Sequence, residues 1–343
     1  IVTDLVGSLL IIFREMMFNS FYPVLQEEIG VGSAFEGWIP SEEGTVYQVL
    51  VPLMPPRGHA FHLELNSAKE DPARTFSIRV ELLCTCTSEQ MPGQMLCFLH
   101  QPEEELKSNQ DPSLLHTLCT DSYLDVQKTS RWFHQLLYAA WVVLPYSSRY
   151  TMKVLQSSYS CCFQIRRDEE KLDIDMMFGV QQGDSDIFLS SQQTEAFLIP
   201  STIWSETYAV AEAKFFRHIA GMAPPDSWHL KCLQLCARIL VGSGFHMDIL
   251  KTAVMHLLTE IPLSQWRRKD CLLRLQDIML YLGCCLEGKC LNHFFFGNEQ
   301  VPVEITLPQD FRNVVPPNLF HHLAQDPSAH SEALREFDEL QDQ

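Results

Sequence analysis

Positive charge is what this chain has least of. Its 343 residues carry 25 Lys and Arg against 43 Asp and Glu, a formal net charge of -18. Nucleic-acid phosphates are held chiefly by Lys and Arg, so nucleic acid is excluded as the main ligand. Two basic clusters, Arg166-Arg167 and Arg267-Arg268-Lys269, read as solvated ends of elements. Long apolar runs are absent too. The nearest, Ile1 to Phe13, is short and broken by Asp4 and Ser8, whereas a membrane span needs about 20 consecutive apolar residues. There is no Asn-x-Ser/Thr glycosylation acceptor. The 12 cysteines include the vicinal pairs Cys161-Cys162 and Cys284-Cys285, poor geometry for a disulfide within each pair. Both features favour a reducing compartment. The chain opens on Ile1 rather than Met, which suggests a piece of a longer protein.

The absence with most chemical content is a pair of carboxylates. Gly32-Ser33 precedes a strand-like run, Thr45 to Pro52, and a second such run, Lys171 to Phe178, follows much later. A Gly-Ser turn, an acid-x-acid pair on one strand and a third acid on a later strand would make a metal-dependent nucleotidyl-transfer site. Residues i and i+2 of a strand share a face, so such a pair can hold two divalent ions. Here the pair is replaced by Val46 and Gln48. Val46 has no oxygen, and Gln48 offers one neutral carbonyl. Asp173 and Asp175 share a face on the later strand and suffice for one weak ion at most. Glu36, Glu42 and Glu43 lie in the intervening loop.

Strand patterns dominate the first half of the chain and helical patterns the second. Residues 1–29 read as helix, from Leu5, Leu9, Ile12 and Met16. Phe76 to Leu82 alternates apolar and polar residues as a half-buried strand does. The charged stretch Gln101 to Pro112 reads as an exposed loop. A helix is expected over Leu124 to Leu144, stopped by Pro145. Strands are expected at 151–155, 159–165, 172–178, 187–189 and 197–199, mostly antiparallel. Helices are expected at 208–219, 228–240, 248–258 and 269–286, with Asp248 and Asp270 at N-terminal positions and Gly242 and Gly288 just past C-termini. The fold class is therefore α+β. A mixed-sheet lobe with an N-terminal helix occupies 1–200, an all-helical lobe 201–325, and a polar, acidic, mobile tail 326–343.

Gly32 to Trp38, Val49 to Pro56, Met95 to His100, Leu118 to Asp125 and Cys290 to Asn298, taken together and in this order, resemble the inositol 1,4,5-trisphosphate receptor-interacting proteins, and the like-one branch above all. These belong to the Mab-21 group, whose fold is that of cyclic GMP-AMP synthase. The resemblance extends to about Phe320. It implies a nucleotidyltransferase-like sheet lobe followed by a helical lobe, with Gly32, Ser33, Val46, Gln48 and Asp173 or Asp175 at the positions of the synthase's active site. The departures at Val46 and Gln48 imply a pseudoenzyme, needing no cofactor. The synthase's zinc-bearing, DNA-gripping insertion has no counterpart between the helices. The resemblance further implies a single-pass cell-membrane protein anchored outside this stretch. Its action would be by protein binding, at the inositol trisphosphate receptor or as an inhibitory ligand of the T-cell receptor complex. The alternative is a residual transferase, or a sensor of nucleotides or inositol phosphates, with Glu42 or Glu43 replacing the lost ligands.

Other clusters read as structure. Cys284, Cys285, Cys290 and His293 lack the two short chelating pairs that zinc favours and read as packing. Cys84-x-Cys86 puts two thiols on one strand face, with no second chelating pair evident. Ser33 lacks a surrounding nucleophile elbow. Gly242-Ser243-Gly244 reads as a turn between helices, His321-His322 as a solvated pair, and Phe294 to Phe296 as packing between lobes.

Overall fold

A computed structural model describes residues 1–39, 44–66, 74–86, 95–155, 157–191, 200–240 and 245–341. The chain forms two compact units. One comprises Ile1–Val31 and Val46–Val210, the other Gly32–Thr45 and Ala211–Gln343. The first unit therefore runs about ten residues past the expected boundary at 200, because strand Ile203–Thr207 completes its sheet. Residues 32–45 group with the helices instead of with the strands on either side of them.

The first unit holds helices α1 (Val2–Met16), α3 (Glu103–Asn109), α4 (Leu114–Thr117) and α5 (Val126–Trp141). Its strands are β1 (Val24–Leu25), β2 (Ile29–Val31), β3 (Val46–Met54), β4 (His59–Asn66), β5 (Thr75–Leu82), β6 (Cys119–Thr120), β7 (Tyr123–Leu124), β8 (Thr151–Val154), β9 (Cys161–Arg167), β10 (Glu170–Gln181), β11 (Phe188–Ser190) and β12 (Ile203–Thr207). They join in one mixed sheet, β1-β3-β10-β11-β12-β5-β7-β6, with β2 on β3, β4 on β5, and β9 followed by β8 on β10. Among the described strands only β3 and β10 run parallel.

The core of this unit follows from periodicity. In α1, Val2, Leu5, Val6, Leu9, Leu10 and Phe13 recur every three or four residues and are all buried. The helix stops at Met16, not at 29 as the pattern suggested. Residues after it turn through Ser20 and Pro23 into β1 and β2. In α5, Phe133 stacks on Phe178 of β10 with centroids 5.2 Å apart and meets Phe13 edge-on at 6.2 Å. The N-terminus of α5 is capped by Asp125, whose Oδ1 accepts from the Lys128 N–H at 3.0 Å. Its Oδ2 accepts from the hydroxyls of Thr120 at 2.8 Å and Ser201 at 2.7 Å. Just before it, Asp121 (φ 50°) and Ser122 (φ 67°) make the tight turn between β6 and β7. The expected loop from Gln101 to Pro112 contains α3, which buries no side chain; Glu103, Glu104 and Glu105 in its first turn and the Glu103–Lys107 pair at 2.6 Å favour the helix. The apolar stretch 197–199 lies outside the described residues.

The second unit holds α2 (Ser33–Glu36), α6 (Ala209–Met222), α7 (His229–Leu240), α8 (Met247–Glu260), α9 (Cys271–Glu287), α10 (His321–Gln325) and α11 (Pro327–Gln341), the first residues of α6 being counted with the sheet. The expected mobile tail is α11. It is anchored by the buried Phe337, whose ring lies 5.9 Å from that of Phe245. At Gly283 of α9 an added Cβ would lie 3.1 Å from Phe337 Cε1, so the bare glycine lets the two helices approach. Phe294, Phe295 and Phe296 pack inside this unit. Phe294 meets Phe215 at 5.0 Å, and Phe296 stacks on Phe311 at 4.0 Å. Among the described residues no helix is long and apolar enough to cross a membrane.

Candidate functional site

Four of the residues singled out by sequence meet on one sheet face of the first unit. The parallel β3–β10 ladder pairs Val46 with Asp173 and Gln48 with Asp175. On its other edge β10 pairs Asp173 with Gln164 and Asp175 with Cys162 of β9. Directly paired residues face the same side, so two rows form: Val46–Asp173–Gln164 and Gln48–Asp175–Cys162. Lys171, two residues before Asp173, shares the face, and its ladder partner is Arg166.

Both aspartates already have partners. Asp173 Oδ2 accepts the Lys171 ammonium at 2.8 Å, and its Oδ1 accepts from Gln164 Nε2 at 2.5 Å. Burial alone would raise its pKa, but these donors and the nearby Arg166 charge hold it below the usual carboxylate value. Asp175 Oδ1 accepts from the Cys162 thiol at 3.1 Å. Burial and the Asp175 charge push that thiol up to about 11, so it stays protonated and donating. A divalent ion at Asp173 would have to displace Lys171. Val46, nearly half exposed, contributes only methyl groups to this face.

Gly32 and Ser33 open the short helix α2 of the second unit, Gly32 at φ 76°. Glu36, at the end of α2, is buried rather than held in a loop. Its Oε2 accepts from Trp38 Nε1 at 2.6 Å and its Oε1 from Lys251 Nζ at 3.0 Å. The same ammonium binds Glu212 of α6. Burial raises Glu212, to about 7, against the pull of Lys251, while the two carboxylates hold Lys251 charged despite its burial. Glu36 is thus committed to an internal ion network. Glu42 and Glu43, and Gly242-Ser243-Gly244, lie outside the described residues.

The other clusters resolve plainly. Arg167 pairs with Glu170 at 3.3 Å, Arg267 with Asp226 at 3.6 Å, and Arg268 lies over the Trp228 ring. His321 shares a hydrogen bond with Gln325 at 2.9 Å. Cys284 and Cys290 are exposed, and burial pushes His293 down to about 3.

One constellation escapes sequence reasoning. The Sγ atoms of Cys84, Cys86 and Cys97 lie 3.5, 3.2 and 3.5 Å from His100 Nδ1. The second chelating pair missing beside Cys84-x-Cys86 is Cys97-x-x-His100. It begins after residues 87–94, so only folding shows that the pairs meet. The available signal was Cys-x-Cys followed by Cys-x-x-His. Among the described residues, this is the one group of three or more His, Cys, Asp or Glu whose ligand atoms all lie within 4.8 Å of one another. Burial raises the Cys97 thiol, but hydrogen bonds from Thr85 and Leu99 outweigh it and hold the thiol down, at about 5.

No family profile matches the chain. Curated relatives do. Over 99% of its length the chain is 35% identical to mouse (Mus musculus) inositol 1,4,5-trisphosphate receptor-interacting protein-like 1 and 34% identical to the rat (Rattus norvegicus) protein of that name. It is 29% identical over 92% of its length to human (Homo sapiens) inositol 1,4,5-trisphosphate receptor-interacting protein. The chain spans less than two thirds of these relatives, 64% of the two rodent proteins and 62% of the human one. Sequence similarity along essentially all of its length places the chain in the inositol 1,4,5-trisphosphate receptor-interacting protein family.

Proposed function

We propose that this chain is a catalytically silent nucleotidyltransferase-like domain that regulates a receptor by binding protein. The observation that supports it most is the composition of the β3–β10 face. Gln48 and Val46 stand across from Asp175 and Asp173, and Lys171 occupies Asp173. Two divalent ions bridging a triphosphate need several carboxylate oxygens free to coordinate them. This face offers two carboxylates, each engaged by a protein donor, one of them the exposed Lys171 ammonium.

The relatives' names support the inositol trisphosphate receptor as the partner class we propose, and the net charge of -18 suits a protein partner better than nucleic acid. Membrane anchoring in the full-length protein, and a T-cell receptor partner, are the finer parts of the proposal that rest on family resemblance. The test has two arms. Purified chain with Mg²⁺ or Mn²⁺ and the nucleoside triphosphates should form no product. Turnover that disappears in Asp173→Asn or Asp175→Asn would overturn the silent reading. In the second arm, immobilised chain should retain the inositol trisphosphate receptor or the T-cell receptor complex from detergent-solubilised membranes. Retention of neither would overturn the regulatory reading.

A further inference from the structure

We propose that Cys84, Cys86, Cys97 and His100 form a closed structural zinc site. The argument begins with distances. Zinc holds thiolate sulfur at about 2.3 Å and imidazole nitrogen at about 2.0 Å in a tetrahedron, which sets each nitrogen–sulfur edge at about 3.6 Å. The three edges here are 3.5, 3.2 and 3.5 Å. Three sulfurs converge on one nitrogen at that spacing, and all four ligand atoms lie within 4.8 Å of one another, as the corners of one coordination tetrahedron would.

The donor set selects the metal. Three thiols and an imidazole, without a carboxylate, suit zinc and exclude magnesium and calcium, which take oxygen ligands. Four protein ligands leave no open coordination position, so the site is structural, not catalytic. Core packing does not explain the cluster, because Cys84, Cys86 and His100 are exposed. Disulfide bonding does not explain it either, since all three cysteines are free.

The surroundings are built to hold the ligands. Cys84 and Cys86 follow directly from the end of β5. Cys97 and His100 sit on a turn closed by the His100 and Gln101 N–H groups donating to the Cys97 carbonyl at 3.2 and 3.1 Å. Gln110 clamps the preceding residue on both sides, accepting from Leu96 N–H at 3.0 Å and donating to Leu96 O at 3.1 Å. Between the ligands, Phe98 packs edge-on against Phe21 at 4.7 Å and His59 at 5.4 Å. Bound zinc would tie the end of β5 to this turn.

The test uses the full chain, purified without chelator, with zinc measured by elemental mass spectrometry. One zinc per chain is expected, released when a mercurial titrates the thiols. Cobalt exchanged into the site should give the visible bands of a tetrahedral ion and strong thiolate-to-cobalt charge transfer. Cys84→Ser and His100→Ala should each reduce zinc to background, while His100→Cys, which keeps four ligands, and Cys290→Ser, an exposed thiol elsewhere, should retain it. Metal-free native protein that takes up no cobalt would overturn the proposal, even if the variants fail to fold. So would a disulfide among Cys84, Cys86 and Cys97 in the non-reduced protein, or full zinc occupancy in the folded His100→Ala variant.

Discussion

Asp175 stands directly across the parallel β3–β10 ladder from Gln48, in the register that also sets Asp173 across from Val46. On the proposed reading this is the register an acid-x-acid site would use, with the side chains at 46 and 48 changed. Val46→Asp combined with Gln48→Asp would place four carboxylates in two adjacent pairs. Without metal their repulsion should lower the melting temperature. Mn²⁺ should restore part of that loss, since an ion bound only by the folded state stabilises it. The wild-type melting temperature should be indifferent to Mn²⁺ at this face. Thermal melts of both proteins with and without Mn²⁺ check this, the Cys84→Ser background removing any contribution from the thiol cluster.

Lys251 predicts a stability effect of the opposite kind. Its ammonium is buried between Glu36 and Glu212. Lys251→Met leaves two acids without their shared counter-ion, and removing one partner of a buried pair costs about 3–5 kcal/mol. Adding Glu36→Gln and Glu212→Gln to Lys251→Met should recover much of that loss, because the neutral set no longer buries unpaired charge. Urea unfolding of the single and triple variants measures the difference.

How much of this was legible beforehand depended on the range of the signal. Helices α6 to α9 and strands β5, β9 and β10 follow from local periodicity, which short sequence windows carry. β4 has the same alternation, with Phe61, Leu63 and Leu65 against His62, Glu64 and Asn66. Its apolar side chains are only partly buried, and Leu65 is exposed, so the pattern is weak evidence of a core strand. The tail looked mobile because α11 is polar except at a few positions. Only packing shows that Phe337 anchors it. At the candidate face, sequence named Val46, Gln48, Asp173 and Asp175, but neither the ladder register nor the role of Lys171 is local information. The two halves of the Cys84 to His100 cluster lie apart in sequence, so no short window holds both.

The anchoring of α11 can be isolated. Phe337→Ala deletes a buried ring, a change that costs about 3–5 kcal/mol in a packed site. The loss should be local first. Amide protection should fall across Pro327–Gln341 and along the facing side of α9, while the β3 and β10 amides keep theirs. Hydrogen exchange read by mass spectrometry separates this from global unfolding, which would lower protection in every element.

Two buried groups give the stability opposite pH slopes. Burial, with the His256 charge adding to it, lowers His293 from 6.5 to about 3, and burial also lowers His59, His134 and His229. A histidine held neutral in the folded state binds its proton only on unfolding, so stability is lost as pH falls below about 6.5. For His293 alone the loss between pH 8 and pH 5 is about 2 kcal/mol. Glu212 acts the other way. Burial raises it from 4.5 to about 7, so the folded state takes up its proton first. Its penalty is absent at low pH and grows as pH rises from about 4.5 to about 7. Urea midpoints measured across pH 5 to 8 should therefore respond in opposite senses to two substitutions. His293→Gln should flatten the loss on acidification, because the proton-binding difference disappears. Glu212→Gln should steepen it, because the offsetting carboxylate no longer titrates. Parallel curves for wild type and both variants would show that neither group changes its protonation on unfolding within this range.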